Sequence, residues 1–297
     1  MLEHMNLAPS DPARVVVLGS GGFVGAASVE RLECAGIEVL GLARTDLDLL
    51  GEGAASQLAA ELRPDDALLV ASAKAPVKDN GMLLDNITMM KTVCDALEKT
   101  TVAHVVYISS DAVYADSAEP MAEDFFTAPE SLHGAMHLAR ELMLGHSSTA
   151  PLAILRPTLI YGARDPHNGY GPNRFRRLVA AREDIVLFGE GEERRDHVLV
   201  DDVVELVYRS LLHRGRGVLN IATGQVVSFR DIAEKVVALF DHPVEIKGTP
   251  RQGPMPHNGY RPFDPAATGA AFPDFSYTLV DEGLAKTHQQ MLKADNG

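Results

Sequence analysis

Three groups of residues in this chain have the types and spacing to do chemistry. The first is the turn Gly19-Ser20-Gly21-Gly22, with Gly25 three residues further on. Glycine adopts positive φ cheaply, and it lets a phosphate approach the backbone where a side chain would intervene. The second is Ser109-Ser110-Asp111, three polar residues directly after an apolar run at 102–108. Polar side chains at the carboxyl end of a parallel strand occupy the place where open α/β sheets do their chemistry. A plain turn cap is the alternative reading. The third is His133 and His137, four residues apart and so on one helical face. Such a pair can ligate a metal, but the sequence places no third ligand beside it, and no metal is expected.

These groups need elements to hold them. Residues 15–18, Val-Val-Val-Leu, read as a short buried strand that feeds the glycine turn, and Phe23 carries the chain on into a helix. The helix offers unpaired N–H groups and the positive end of its dipole, and Gly25 lets it lie close to the strand. Strand, glycine turn and helix in that order form a pyrophosphate cradle of the dinucleotide type, with a ligand-free glycine-rich connection as the alternative. A second strand at 37–42 ends at Ala43-Arg44-Thr45-Asp46. An acid at this strand end would suit a ribose 2′-hydroxyl, and an arginine a 2′-phosphate. Arg44 therefore favours NADP over NAD, although Asp46 and Asp48 would repel a phosphate. The next strand, 67–71, leaves small residues, Ala71-Ser72-Ala73, for a cofactor to lie across.

Helices are expected at 53–62, 82–99 and 131–145, and strands at 102–108 and 152–155. Met89 and Met90 read as core residues, and Glu190 to Asp196 as a charged hairpin or loop. Helices follow at 173–182, 201–212 and 231–240, with strands at 185–188 and 218–221. Alternating strands and helices predict an α/β fold with a doubly wound parallel sheet. The shift to Gly, Pro, Asn and Asp after Gly162 divides the chain. Residues 11–165 form a dinucleotide-binding domain, to which a strand near 218–224 returns. Residues 166–297 form a smaller substrate-binding domain.

The 297 residues, 46% hydrophobic, can bury a sizeable core. A net charge of −14 argues against a nucleic-acid partner. Cys34 and Cys94 make no disulfide framework and read as small core residues. No apolar run matches a membrane span and no signal peptide is visible, so a cytoplasmic protein with no membrane partner is expected. Met1 to His4 reads as a vector-derived leader and 6–11 as a loose lead-in.

Taken in order, the blocks of the chain resemble the extended short-chain dehydrogenase/reductase proteins of the NAD-dependent epimerase/dehydratase type. The likeness spans residues 14 to 284. Its blocks are Gly19-x-x-Gly22-x-x-Gly25, the Asn86 helix NITMMKTVCDAL, the serine strand YISSDAVYA, ILRPTLIYG, GEERRDHVLVDDVVELV and LNIATG. The resemblance implies a Rossmann fold, NADP or NAD as cofactor, and a nucleotide-activated sugar as substrate. It also implies a homodimer formed through the helices at 82–99 and 131–145. Gly19, Ser20, Gly22, Phe23, Gly25, Arg44 and Ala71 would hold the cofactor. Ser110 takes the family's serine/threonine position, and Arg195 the position of the arginine on the substrate diphosphate, helped by Asn173, Arg174 or Arg261.

One block departs from the pattern. The family carries Tyr-x-x-x-Lys in the helix after the serine strand, whereas this chain reads His133-Gly134-Ala135-Met136-His137. Histidine moves protons near neutral pH, so His133 would take the tyrosine's acid/base role. His137 would hold the ribose or tune His133. The activities implied are epimerase, dehydratase or ketoreductase. The alternative is a non-catalytic or redox-sensing protein that binds the dinucleotide on the same scaffold.

Overall fold

A computed structural model describes residues 1–295. Six strands form one parallel sheet: β1 (Arg14–Leu18), β2 (Val39–Leu42), β3 (Asp66–Val70), β4 (His104–Ile108), β5 (Leu152–Pro157) and, after three strands outside it, β9 (Gly217–Ile221). Their order is β2-β1-β3-β4-β5-β9. From β1 the chain goes first to one neighbour, β2, and later to the other, β3. The order therefore reverses at β1, and a crevice opens there at the carboxyl ends of the strands.

Helices cover both faces of the sheet, which is why its strands are apolar throughout rather than alternating. Val15 and Val17 of β1 point into one core, which includes residues of α1 (Phe23–Cys34) and α6 (Val200–Leu212). Val16 and Leu18 point into the other, against α2 (Ala54–Glu61), α3 (Asn80–Leu97) and α4 (Leu132–Ser147). A third core, around Phe175, Leu187 and Phe229, unites α5 (Pro172–Ala180) and α7 (Phe229–Val237) with short strands. These strands are β6 (Leu159–Tyr161), β7 (Ile185–Phe188), β8 (Arg194–Leu199), β10 (Val226–Ser228) and β11 (Ile246–Thr249), and a two-residue strand, β12 (Tyr260–Arg261), pairs with β8. Two further helices, α8 (Ala266–Ala271) and α9 (Val280–Asp295), end the chain. No helix among the described residues is long and apolar enough to cross a membrane.

Several local expectations are corrected. Arg194 to Asp196 lie in β8 and not in a loop, because β10 pairs with them on one side and β12 with Arg194 and Arg195 on the other. The amino-terminal residues belong to the fold: Leu2 is buried, and Glu3 exchanges backbone hydrogen bonds of 2.7 and 2.8 Å with Arg216. α3 begins at Asn80, two residues early, because the Asp79 side chain accepts the Met82 N–H as its cap. Cys34 is exposed on the last turn of α1, whereas Cys94 is buried.

Two buried histidines make the fold sensitive to acid. His104 accounts for one nitrogen, with Nε2–H donating to the Gly215 carbonyl at 2.7 Å, and its Nδ1 has no partner. Burial lowers its pKa from 6.5 to about 4. His197, which donates through Nδ1 to the Arg195 carbonyl, is pushed to about 3 by burial. Both folded values lie below the unfolded value, so the unfolded chain binds more protons as the pH falls. Their contribution is complete above pH 6.5 and is lost below it at ~1.4 kcal/mol per pH unit for each histidine. Urea unfolding should show the pair costing about 3 kcal/mol between pH 6.5 and 5. Equal stability at the two pH values would contradict this.

Candidate active site

The glycine turn sits at the carboxyl end of β1, against the end of β3. Gly19 has φ +87°, and a Cβ there would fall 2.8 Å from Ser72 Cα. A Cβ on Gly25 would lie 2.0 Å from the Gly19 carbonyl oxygen. α1 thus passes directly over the turn, as only glycine permits. Gly22 caps α1 without any side-chain hydrogen bond, so the first-turn N–H groups face outward for a ligand. The turn is tied to β2 through Gly19 N–H, which donates to the Leu42 carbonyl at 2.9 Å.

A cavity of about 380 Å³ opens here, lined by Gly19, Gly21, Gly22, Ala43–Thr45, Leu47–Leu50 and Ala71–Lys74. Its glycine-lined wall at the amino end of α1 fits the pyrophosphate of a dinucleotide. Of the residues expected to touch the cofactor, Gly19, Gly22, Arg44 and Ala71 line it directly. Ser20 and Gly25 belong to the same turn, and Phe23 reaches across to Gly162 at the end of β6. Met89 also lines this cavity, whereas Met90 is core. The two are neighbours on α3 and so point in different directions. Asn86 supports the wall. It accepts the Lys74 N–H at 2.9 Å and donates to the Lys74 carbonyl at 3.0 Å, which pins the loop between β3 and α3.

Beyond β4 the chain makes a single tight turn, Asp111–Val113, capped by Ser110 Oγ, which accepts the Ala112 N–H at 3.2 Å. The start of α4 presses on this turn. A Cβ on Gly134 would fall 2.0 Å from the Ala112 carbonyl oxygen. That contact sets the start of α4, which carries His133, against the Ser110 turn, with the Asp111 carboxylate near enough to act on the His133 ring. His133 Nδ1 is buried without a partner. Burial lowers the His133 pKa, against the pull of the Asp111 carboxylate. The ring is therefore neutral at neutral pH and can accept a proton. His137 stacks edge-on to it, with ring centroids 4.7 Å apart. Its Nδ1 shares a 2.7 Å hydrogen bond with the Tyr107 hydroxyl. Burial first, then His133 and Arg140, hold the His137 pKa well below its ordinary value. His137 thus points inward to β4.

Glu141, one turn further along α4, is a residue the sequence reading passed over. It takes Arg156 in a two-pronged ion pair, 2.9 and 2.6 Å, and accepts the Ser109 hydroxyl. Asp111 is held by Arg261 Nε at 3.0 Å, and Arg195 lies 3.6 Å away. Arg261 is buried, and its remaining donors go to the Asp111 and Tyr114 carbonyls, Asp116 and His257. Asn173 is buried too, accepting from Gly162 N–H and donating to Asp165. Both expected substrate residues are thus engaged inside the protein, because the 256–261 connection and the 162–165 loop fold back over them. Arg174 is exposed. No three His, Cys, Asp or Glu side chains among the described residues are placed to hold a metal.

Residues 15–222 match the model of the NAD dependent epimerase/dehydratase family. The chain belongs to that family. A UDP-glucose 4-epimerase of Mycolicibacterium smegmatis is 28% identical over 268 residues, 78% of this chain and 84% of its own. The fold is shared with solved structures at lower identity. MoeE5, in complex with UDP-glucose and NAD, is 24% identical and superposes with a TM-score of 0.82 over 96% of this chain and 99% of its own. A GDP-L-fucose synthetase from Naegleria fowleri bound to NADP is 17% identical, with a TM-score of 0.81 over 99% and 96%. Of these two structures, the first holds NAD and the second NADP. Within this epimerase/dehydratase fold the glycine turn, the Ser110 turn and the two histidines all lie along the carboxyl edge of the sheet.

Proposed function

We propose that this protein is an NAD(P)-dependent enzyme acting on a nucleotide-activated sugar, with His133 as its proton-transfer group. The observation that carries the reading is an imidazole with an unpartnered Nδ1, set where α4 packs on the Ser110 turn and on the helix that carries the family's Tyr-x-x-x-Lys. The dinucleotide, when bound, supplies the hydride acceptor or donor. The turn at 19–22 and the amino end of α1 hold its pyrophosphate. Ser110 donates a hydrogen bond to the reacting sugar oxygen, and His133 takes up or returns the proton of that oxygen. His137 braces His133 and stays neutral. Arg195 and Arg174 grip the substrate diphosphate, and Arg261 holds the Asp111 turn that positions Ser110.

Incubation with NADPH or NADH and a panel of nucleotide-linked sugars and keto-sugars tests this. Absorbance reads net reduction, and product analysis reads an epimerase or dehydratase that recycles its cofactor. Tight dinucleotide binding without any product would favour the non-catalytic alternative, which the absent tyrosine and lysine support.

NADP is the favoured dinucleotide. Ala43 at the end of β2 offers no acid to a 2′-hydroxyl. The Asp46 carboxylate is folded back onto the Ala43 N–H at 2.8 Å. Arg44 is largely exposed, and among the described residues its one ion pair is with Asp48, at 3.5 Å. Replacing Arg44 with alanine should weaken NADP about tenfold and leave NAD unchanged, since a charge-assisted contact to phosphate is lost. Equal effects on both dinucleotides in a calorimetric titration would refute the preference.

A further inference from the structure

Arg140 is fully buried on α4, on the same face as His133 and His137. Among the described residues no carboxylate is ion-paired with it. Its Nη2 donates to the Ser72 carbonyl at 2.7 Å, its Nη1 meets Met136 Sδ at 3.7 Å, and its Nε has no partner. The Tyr107 ring lies 5.2 Å from the guanidinium carbon. A guanidinium buried in this way is costly unless it serves an anion. Ser72 is the residue on which Gly19 rests, and it lines the dinucleotide cavity. Of the two basic residues that line the same cavity, Lys74 is paired with Asp85 at 2.6 Å, and Arg44 is assigned above to the 2′-phosphate. The glycine turn itself supplies only backbone dipoles.

We propose that Arg140 supplies the positive charge beneath the dinucleotide's pyrophosphate, from behind the end of β3, in a site that lacks the lysine of its relatives. It acts as a positioning residue. It fixes the Ser72 carbonyl, and its field, little screened in the interior, favours an anion seated on the turn. The proposal rests on the reading of the cavity as a dinucleotide site.

Two variants of the full chain separate charge from structure. Arg140→Gln keeps a donor for the Ser72 carbonyl and removes the charge, and Arg140→Lys keeps the charge. NADPH affinity, read by fluorescence, should fall about tenfold in Arg140→Gln and be largely kept in Arg140→Lys. Affinity for uncharged adenosine, read by ligand-observed NMR, should be the same in all three proteins. Unchanged NADPH affinity in a folded Arg140→Gln protein would overturn the proposal, and so would equal weakening of NADPH and adenosine. If Arg140→Gln fails to fold, Arg140→Lys decides: full NADPH affinity supports the charge, and a loss shared with adenosine refutes it. If the unaltered protein binds no NADPH, the reading of the cavity falls first and this proposal with it.

Discussion

Replacing His133 with alanine should lower kcat by about 10²–10⁴-fold, the usual contribution of a positioned acid/base group, while NADPH binding stays unchanged. The expectation follows from placement. His133 stands at the contact of α4 with the Ser110 turn, and its Nδ1 has no protein partner. It lines none of the dinucleotide cavity. The sign of the pH dependence is fixed by its environment. Burial lowers its pKa from 6.5, so the neutral base persists to below that pH. In the direction that removes a proton from the sugar, kcat/KM should be level above pH 6.5 and fall only in more acid solution. His133→Ala should abolish that fall with the activity. A variant that keeps full kcat would move the acid/base role elsewhere.

The second large effect is on stability. Glu141 and Arg156 form a buried two-pronged pair whose side chains are 5% and 6% exposed. Arg156 also donates to the Tyr114 hydroxyl at 2.7 Å, which donates in turn to Asn220 at 2.8 Å. The network ties α4, β4, β5 and β9 together behind the Ser110 turn. Arg156→Met leaves the Glu141 carboxylate buried beside only a serine hydroxyl. That should cost about 3–5 kcal/mol, because breaking a buried pair strands a charge. Removing both partners, Arg156→Met with Glu141→Leu, should recover part of the loss. Urea unfolding of the two single variants and the double variant measures the coupling. A single-variant loss below about 1 kcal/mol, as an exposed pair would give, would show that the pair is not holding the sheet to α4.

The sheet was legible because its strands are covered on both faces. Val-Val-Val-Leu, Ala-Leu-Leu-Val and His-Val-Val-Tyr-Ile are nearly unbroken apolar runs, and each of them is a strand. The glycine turn was legible because its spacing reports a packing constraint: Gly19 and Gly25 have no room for a Cβ. The charged start of β8 was not legible. Its residues are satisfied by partners distant in sequence, Arg194 over the Tyr260 ring and Asp196 by Thr158, Thr223 and Gly224. Arg140 and Glu141 were missed for the same reason. In Leu-Ala-Arg-Glu-Leu nothing local marks them as buried, and it is the packing of α4 on the sheet that buries them. Met89 read as core because nothing in an amphipathic pattern distinguishes a core wall from a cavity wall.

The most direct measurement is a calorimetric titration of the unaltered protein with NADPH, repeated on Gly25→Val. The account predicts saturable binding of one dinucleotide per chain, lost in the variant, whose side chain would fill the approach of α1 to Gly19. No heat with either NADPH or NADH, or undiminished binding by a folded Gly25→Val protein, would contradict it.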